Sequence, residues 1–264
     1  METKIQCPAK INLSLKIINK RQDGFHNIES IMQTIDLYDY LTINVQPAKK
    51  FEIILDGNNK EIPYNETNLV YKAAKLFFET VRHSPQKISI YIEKNIPISA
   101  GLAGGSTDAA GTLYGLNEIF KRPLNLKQLH QLCSQLGSDL NVCLQGGRLL
   151  CKGRGEIIEP LNFEEFDVSL IKPKNLGISA KEAYTKYSQK IKNNSINYNN
   201  HLEWAIIDDY QELQKIKELY PDSMMSGSGS TYFRINNTFK ALEGYEIFNN
   251  HKAINIGVQK VPHL

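Results

Sequence analysis

Apolar and polar residues alternate between Ile11 and Ile17. Ile11, Leu13, Leu15 and Ile17 share one face and Asn12, Ser14 and Lys16 the other, the two-residue period of a half-buried strand. A turn follows at Gln22-Asp23-Gly24. Leu41, Ile43 and Val45 alternate again before the short apolar run Phe51 to Leu55, which Asp56-Gly57 ends. These signals predict an antiparallel, hairpin-rich sheet. The period then changes. Thr67 to Val81 reads as a helix capped by Thr67, with Leu69, Ala73, Leu76 and Thr80 facing inward. Ile88, Ile90 and Ile92 predict a strand that ends at Asn95-Ile96-Pro97. A small-residue loop, Ser99 to Gly105, leads to a helix from about Ser106 to Phe120 with Ala109, Leu113, Leu116 and Phe120 inward. Pro123 closes it. The next helix runs from Asn125 to Leu136, with Asn125 as N-cap, Gln128 at the capping-box position and Gly137 as the stop.

Beyond Gly146-Gly147 two short strands flank Gly153-Arg154-Gly155. A division into residues 1–150 and 151–264 is expected here. Tyr187 to Asn200, rich in Asn, Lys and Ser, predicts a mobile loop. A helix from Leu202 to about Leu219, a second small-residue turn at Ser226 to Ser230 and a strand at Thr231 to Ile235 follow. The mixture is α+β, with no solenoid repeat.

Composition narrows the function class. Of 264 residues, 41% are hydrophobic and 22% charged, ordinary values for a globular chain. The formal net charge of +3 is too small and too evenly spread for a nucleic-acid partner, yet it suits a site for polyanionic small molecules. No apolar run reaches the roughly 18 residues of a membrane-spanning helix. Met1 to Cys7 carries neither a hydrophobic signal core nor an Arg/Ser-rich transit pattern, so a cytoplasmic protein without a membrane partner is expected. Cys7, Cys133, Cys143 and Cys151 form no CxxC pair and read as buried reduced thiols. The histidines, His263 included, are scattered and suggest no metal cage.

Four segments carry chemistry. In Pro97-Ile-Ser-Ala-Gly101-Leu-Ala-Gly104-Gly105-Ser106-Thr107-Asp108, a strand runs through small residues directly onto a helix. Unpaired helix N–H groups and the positive end of the helix dipole favour a phosphate there. Neither GxxxxGK[ST] nor GxGxxG fits, and the segment reads equally as a glycine turn that only caps a helix. Lys10 and Asn12 in Pro8-Ala9-Lys10-Ile11-Asn12-Leu13 suit either a site or a solvated strand face. Asp139, in Gly137-Ser138-Asp139-Leu140, suits either a helix cap or a general base. Met225-Ser-Gly-Ser-Gly-Ser-Thr231 is a second small-residue turn.

In this order and spacing the segments resemble the GHMP kinase superfamily. Arg21-Gln-Asp23-Gly24-Phe25-His26, with Asn68-Leu69, Gly137-Ser138-Asp139 and Ile178-Ser179 leading to Tyr184, resembles its 4-diphosphocytidyl-2-C-methyl-D-erythritol kinase family. The resemblance covers nearly the full chain. It implies a two-lobed fold with a ribosomal-protein-S5-like N-terminal lobe, a ferredoxin-like C-terminal lobe and the site between them. It also implies ATP and Mg²⁺ together with a small-molecule acceptor, 4-diphosphocytidyl-2-C-methyl-D-erythritol. The same resemblance distributes the roles. Asp139 would take the acceptor proton and Lys10 would steady the charge, with Asn12 near the hydroxyl. Pro97, Gly101, Leu102, Ala103, Gly104, Gly105, Ser106 and Thr107 would wrap the phosphates, Ser106 being closest to them and to Mg²⁺. Asn68 and Lys94 would lie near the adenine, although Lys94 reads equally as a solvated strand-end lysine. Phe25 and Tyr184 would sandwich the cytosine while His26 reads its edge. Gly227, Ser228 and Gly229 would close over the substrate. Three positions depart from the pattern: Ala103 stands where glycine is commoner, Asp108 follows the hydroxyl pair, and Ala180 replaces a hydroxyl. Another small-molecule kinase of the superfamily, or a non-catalytic sensor of the same fold, remain the alternatives.

Overall fold

The structure, a computed structural model, describes residues 1–191 and 196–262. The alternating N-terminal segments form two long antiparallel strands, β1 (Glu2–Lys20) and β2 (His26–Pro47). β3 (Glu52–Gly57) pairs in parallel with β4 (Gln86–Glu93), which is antiparallel to β2. Four helices follow from the second period: α1 (Leu69–Val81), α2 (Gly104–Ile119), α3 (Leu126–Leu136) and α4 (Leu140–Gln145). They cover one face of the sheet. Ile5, Leu41, Ile43, Ile88, Ile90 and Ile92 meet Phe77, Leu113 and Leu116 in the first core cluster. α2 lies almost on the strands: a Cβ at Gly111 would overlap Cys7 Sγ, and one at Gly115 would come within 2.6 Å of Ile43 Cδ1. That contact aims the N-terminus of α2 at the middle of the molecule.

β5 (Arg148–Lys152) and β6 (Ile157–Pro160) make a hairpin that pairs with β2. The chain then passes to a second sheet. This one consists of β7 (Asp167–Pro173), β8 (Met224–Met225), β9 (Tyr232–Ile235) and β10 (Tyr245–Lys252), in the order β10-β7-β9-β8. α5 (Ala180–Lys190), α6 (His201–Ile206) and α7 (Gln211–Leu219) accompany it, and β11 (Gln259–Lys260) returns to β1. The distal half of the β1–β2 hairpin reaches across: Leu15, Ile17, Ile28 and Met32 share a cluster with Tyr187, Leu202 and Ile206. The passage between sheets thus lies between Pro160 and Asp167, and the division expected after residue 150 falls inside the β5–β6 hairpin. Backbone pairing, with Cys151 opposite Ser30, decides this, and short strands do not announce their partners.

Several boundaries differ from expectation. Asn68, not Thr67, caps α1, accepting from the Val70 N–H at 2.9 Å, while the Thr67 hydroxyl is engaged with Asn65. The buried face of α1 is accordingly rotated to Val70, Ala73, Ala74, Phe77 and Phe78, and Thr80 is exposed. The expected helix 202–219 is broken by a 3-10 turn at Ile207–Asp209, where Asp208 and Asp209 turn out to Lys190 and Lys186 of α5. In the expected mobile loop, Tyr187 belongs to α5 and is buried, Asn200 is 2% exposed, and residues 192–195 lie outside the described residues, as does His263. The α3 capping box and the Gly137 stop are present as read. All four cysteines are free and buried. Among the described residues, no helix is long and apolar enough to cross a membrane.

His201 supplies a pH-dependent tie between the lobes. The Ile17 N–H donates to its Nδ1 at 3.0 Å, and burial with Lys16 nearby holds the imidazole below its ordinary 6.5. A depressed folded value means that the unfolded chain takes up the proton first. The contribution is therefore present above the unfolded value and is lost as pH falls through the folded one. Thermal unfolding is expected to show lower stability at pH 5 than at pH 7.5, with about 1 kcal/mol of the difference removed in His201→Gln. An unchanged difference would refute the assignment.

Candidate active site

The strand face that reads as solvated in the sequence is buried. Lys10 is 3% exposed and Asn12 2%, because β1 at this point runs beneath the phosphate-type loop and the second small-residue turn. The Lys10 ammonium donates to Asn12 Oδ1 at 2.6 Å and to the Gly101 carbonyl at 2.9 Å, and it stands 3.6 Å from Asp139 Oδ2. Its N–H donates to the Leu102 carbonyl at 3.1 Å. Asn12 Nδ2 in turn donates to Ser30 Oγ at 2.8 Å. A buried ammonium with fixed partners and one half-open carboxylate is therefore built into the sheet.

Asp139 is not a cap. It sits at the N-terminus of α4 yet makes no side-chain bond to that helix, and 30% of its side chain is exposed. The turn carrying it is held from behind: Asn141 Nδ2 donates to Ser134 Oγ at 2.8 Å and to the Glu156 carbonyl at 2.7 Å, and His130 Nδ1 lies 3.1 Å from Asn141 Oδ1. Neither supporting residue stands out in the sequence, where an Asn inside an apolar run and a lone His on a helix are unremarkable.

At the small-residue loop, Ala103 caps α2 in the left-handed region, φ 61°, with no side-chain cap bond. The first N–H groups of the helix therefore stay open, as an anion site requires, and the left-handed backbone explains why glycine suits this position. Gly101 approaches the second turn so closely that a Cβ would overlap the Ser226 carbonyl. Ser226 Oγ donates to the Gly101 carbonyl at 3.0 Å, joining the two loops over Lys10.

One cavity of about 940 Å³ unites most of the expected residues. Lys10, Asn12 and Asp139 line it together with Gly101, Ala103 and Ser106 of the first small-residue loop and Gly227 and Ser228 of the second turn, and so do Phe25, His26 and Tyr184. Pro97, Gly104, Gly105, Asn68 and Gly229 lie outside this lining, and Asn68 uses its carboxamide as the α1 cap. Leu102 and Thr107 are corrections, because both side chains are buried in the core. The Thr107 N–H is engaged as well, donating to the Ala103 carbonyl at 2.9 Å.

Lys94 is a further correction. Its side chain is 5% exposed and neither solvated nor free to reach an adenine. The ammonium bonds to Asp39 and donates to Asp108 Oδ2 at 2.8 Å. Burial alone would lower this lysine, but Asp108 and Asp39 outweigh it and hold the ammonium above its ordinary value. Burial raises Asp108 in turn, partly opposed by Lys94. The Asp39 carboxylate also accepts from the Asn95 and Ile96 N–H groups, so the cluster clamps the root of the loop. Asp108 is thus 3% exposed, paired with Lys94 and outside the cavity lining. Lys94→Met, which strands two buried carboxylates, is expected to cost about 3–5 kcal/mol in denaturant unfolding. A cost under about 1 kcal/mol would mean that the cluster is effectively solvated.

Phe25, His26 and Tyr184, the residues expected around the cytosine, all line the cavity. The His26 ring stacks on Tyr184, with centroids 5.1 Å apart and planes 16° apart, and its Nε2 lies 3.1 Å from Ser188 Oγ. Burial, with Lys20 nearby, keeps His26 below its usual value. The Arg154 guanidinium covers the Phe25 ring at 5.2 Å. Sequence reading missed Arg154 and Ser188, since a residue in a Gly-X-Gly turn and a serine on a helix carry no local mark. Ala180 lines the cavity without a hydroxyl.

This arrangement can hold a polyanion against a helix N-terminus and set a hydroxyl acceptor beside a carboxylate and a fixed ammonium. Residues 68–147 match the family described as GHMP kinases N terminal domain. The 4-diphosphocytidyl-2-C-methyl-D-erythritol kinase of Clostridium tetani (strain Massachusetts / E88) is 43% identical over 87% of this chain and 89% of its own length. That of Clostridium botulinum (strain Hall) is 40% identical over 85% and 88%. A crystal structure of 4-(cytidine 5'-diphospho)-2C-methyl-D-erythritol kinase superposes with a TM-score of 0.75 at 25% identity, covering 96% of this chain and 99% of that one. Mevalonate kinase of Methanococcus jannaschii, at TM-score 0.70 and 16% identity, shares the fold. The chain belongs to the GHMP kinases and, among them, to the 4-diphosphocytidyl-2-C-methyl-D-erythritol kinases.

Proposed function

We propose that this kinase transfers the γ-phosphoryl group of ATP to the 2-hydroxyl of 4-diphosphocytidyl-2-C-methyl-D-erythritol, in the cytoplasm, as a step of the non-mevalonate route to isoprenoids. The observation that carries the reading is the Lys10–Asp139 pair, 3.6 Å apart in a cavity lined also by Ser106 at the start of α2 and by Phe25, His26 and Tyr184. Asp139 takes the proton of the tertiary hydroxyl as its oxygen bonds to the γ-phosphorus. The bond to the β–γ bridging oxygen breaks, and its electron pair leaves with ADP. Lys10, held by Asn12 and Gly101, offsets charge on the transferring group. In a loose transition state such positioning outweighs base strength.

Mg²⁺ fits the donors present. The Ser106 hydroxyl, which lines the cavity at the open start of α2, offers a hard oxygen beside the phosphates, and among the described residues no cluster of three His, Cys, Asp or Glu forms a separate metal site. The ion, bound with the nucleotide, supplies charge neutralisation to the phosphates. Phe25, His26, Tyr184 and Arg154 provide flat and hydrogen-bonding surfaces for the cytosine, while Gly227 and Ser228 cover the diphosphate.

The test is ADP release in the presence of ATP, Mg²⁺ and each of three acceptors: the cytidyl-methylerythritol compound, mevalonate and homoserine. Turnover with the first alone supports the proposal. Turnover only with another acceptor assigns a different kinase activity, and none with any supports a ligand sensor.

A further inference from the structure

The Asn-rich segment before α6, which carries no motif in the sequence, ends in a residue with both side-chain polar atoms engaged. Asn200 is 2% exposed. Its Oδ1 caps α6, accepting from the Leu202 N–H at 2.9 Å and the Glu203 N–H at 3.4 Å. Its Nδ2 donates to the carbonyls of Met225 and Gly227, each at 2.8 Å. Glu203, three residues on, accepts from the Met225 N–H at 3.1 Å. The start of α6 therefore grips the second small-residue turn by both the N–H and the carbonyl of one residue and by the carbonyl of the next but one.

That turn stands directly over the catalytic lysine. Ser226 Oγ accepts from the Asn12 N–H at 3.3 Å and donates to the Gly101 carbonyl, which also accepts from Lys10. A Cβ on Gly227 would lie 3.2 Å from both Lys10 Nζ and Asn12 Oδ1. Displacement of the turn therefore displaces two of the partners that fix the ammonium. The Leu15 N–H donates to the Asn199 carbonyl at 2.8 Å, so the same segment is also tied to β1.

We infer that Asn200 is a positioning residue of the phosphoryl-transfer site, setting the Ser226–Gly227 turn against Lys10 and Gly101 from the second lobe. It touches no substrate and acts through the turn. The inference rests on the kinase reading above for its catalytic consequence, though not for its structural one.

Two variants separate the cap from the turn. Asn200→Ser keeps an N-cap hydroxyl, which is nearly as good a cap, but is too short to reach the two carbonyls. Asn200→Asp keeps the cap and the shape but presents oxygen where an N–H donated. In folded Asn200→Ser, kcat is expected to fall tenfold or more while KM for ATP stays within threefold, and Asn200→Asp is expected to lose at least as much. Hydrogen exchange, which needs no substrate, is expected to quicken at least tenfold at the Ser226 and Gly229 amides, which donate within the turn, with β1 and β2 unchanged. Folded variants with wild-type exchange at these amides would overturn the inference. So would wild-type kcat, or failure of both variants to fold, since the residue would then hold only the lobe. Altered exchange in a wild type that turns over no acceptor would overturn the proposed reaction while leaving the positioning role standing.

Discussion

Asp139→Asn is expected to lower kcat by about 10²- to 10⁴-fold, the usual contribution of a positioned general base, with thermal stability nearly unchanged. The carboxylate has 30% of its side chain exposed and caps no helix, so its loss leaves no orphaned bond in α4. The isosteric amide preserves the shape beside Lys10 but accepts no proton. KM for ATP is expected to stay within about threefold, because the proposed phosphate contacts are the backbone N–H groups at the start of α2 and the Ser106 hydroxyl, not Asp139. Steady-state ADP release checks this. A variant kcat within threefold of wild type would remove Asp139 from the role of base.

Gly101→Ala is the second large effect, and its cause is different. Gly101 has φ +73°, and a Cβ there meets the Ser226 carbonyl, so two penalties add. A left-handed alanine costs about 1–2 kcal/mol. The overlap forces the two loops apart, breaking the bonds that the Gly101 carbonyl accepts from Lys10 at 2.9 Å and from Ser226 at 3.0 Å. A shift of about 1 Å at such a site is enough to cost about 10²-fold in rate. The variant is expected to keep its secondary structure, to melt several degrees lower and to lose about 10²-fold or more in kcat/KM. Gly244→Ala is the control. Its φ is +86° with nothing within 4 Å, so it carries the backbone strain without the overlap and should lose stability alone. If Gly244→Ala lost as much activity as Gly101→Ala, or neither lost any, the close approach would not matter.

Both predictions depend on contacts between segments far apart in the chain. Asn12 and Ser226 are separated by more than 200 residues, and the candidate site exists only where the β1–β2 hairpin, the α2 loop and the turn before β9 meet.

The sequence by itself determined the element types and the chemistry-bearing segments. The strand alternation around Ile11, Ile43 and Ile90 is a property of neighbouring residues, as are the Asn125–Gln128 capping box and the small-residue runs at 99–105 and 226–230, because local backbone geometry sets all of them. With those segments in order, the family and the Lys10–Asp139 pair were legible. Tertiary structure alone decided which polar groups are free. Lys94 reads as an exposed strand end and is instead buried between Asp39 and Asp108. Thr107 reads as a phosphate ligand and is turned into the core, while Asn200 reads as loop and holds the turn over Lys10. The His26 ring, expected to read a base edge, also stacks on Tyr184. In each case the outcome depends on a partner distant in sequence. A buried polar group must find its hydrogen bonds wherever packing brings donors and acceptors together, and no local pattern encodes that choice.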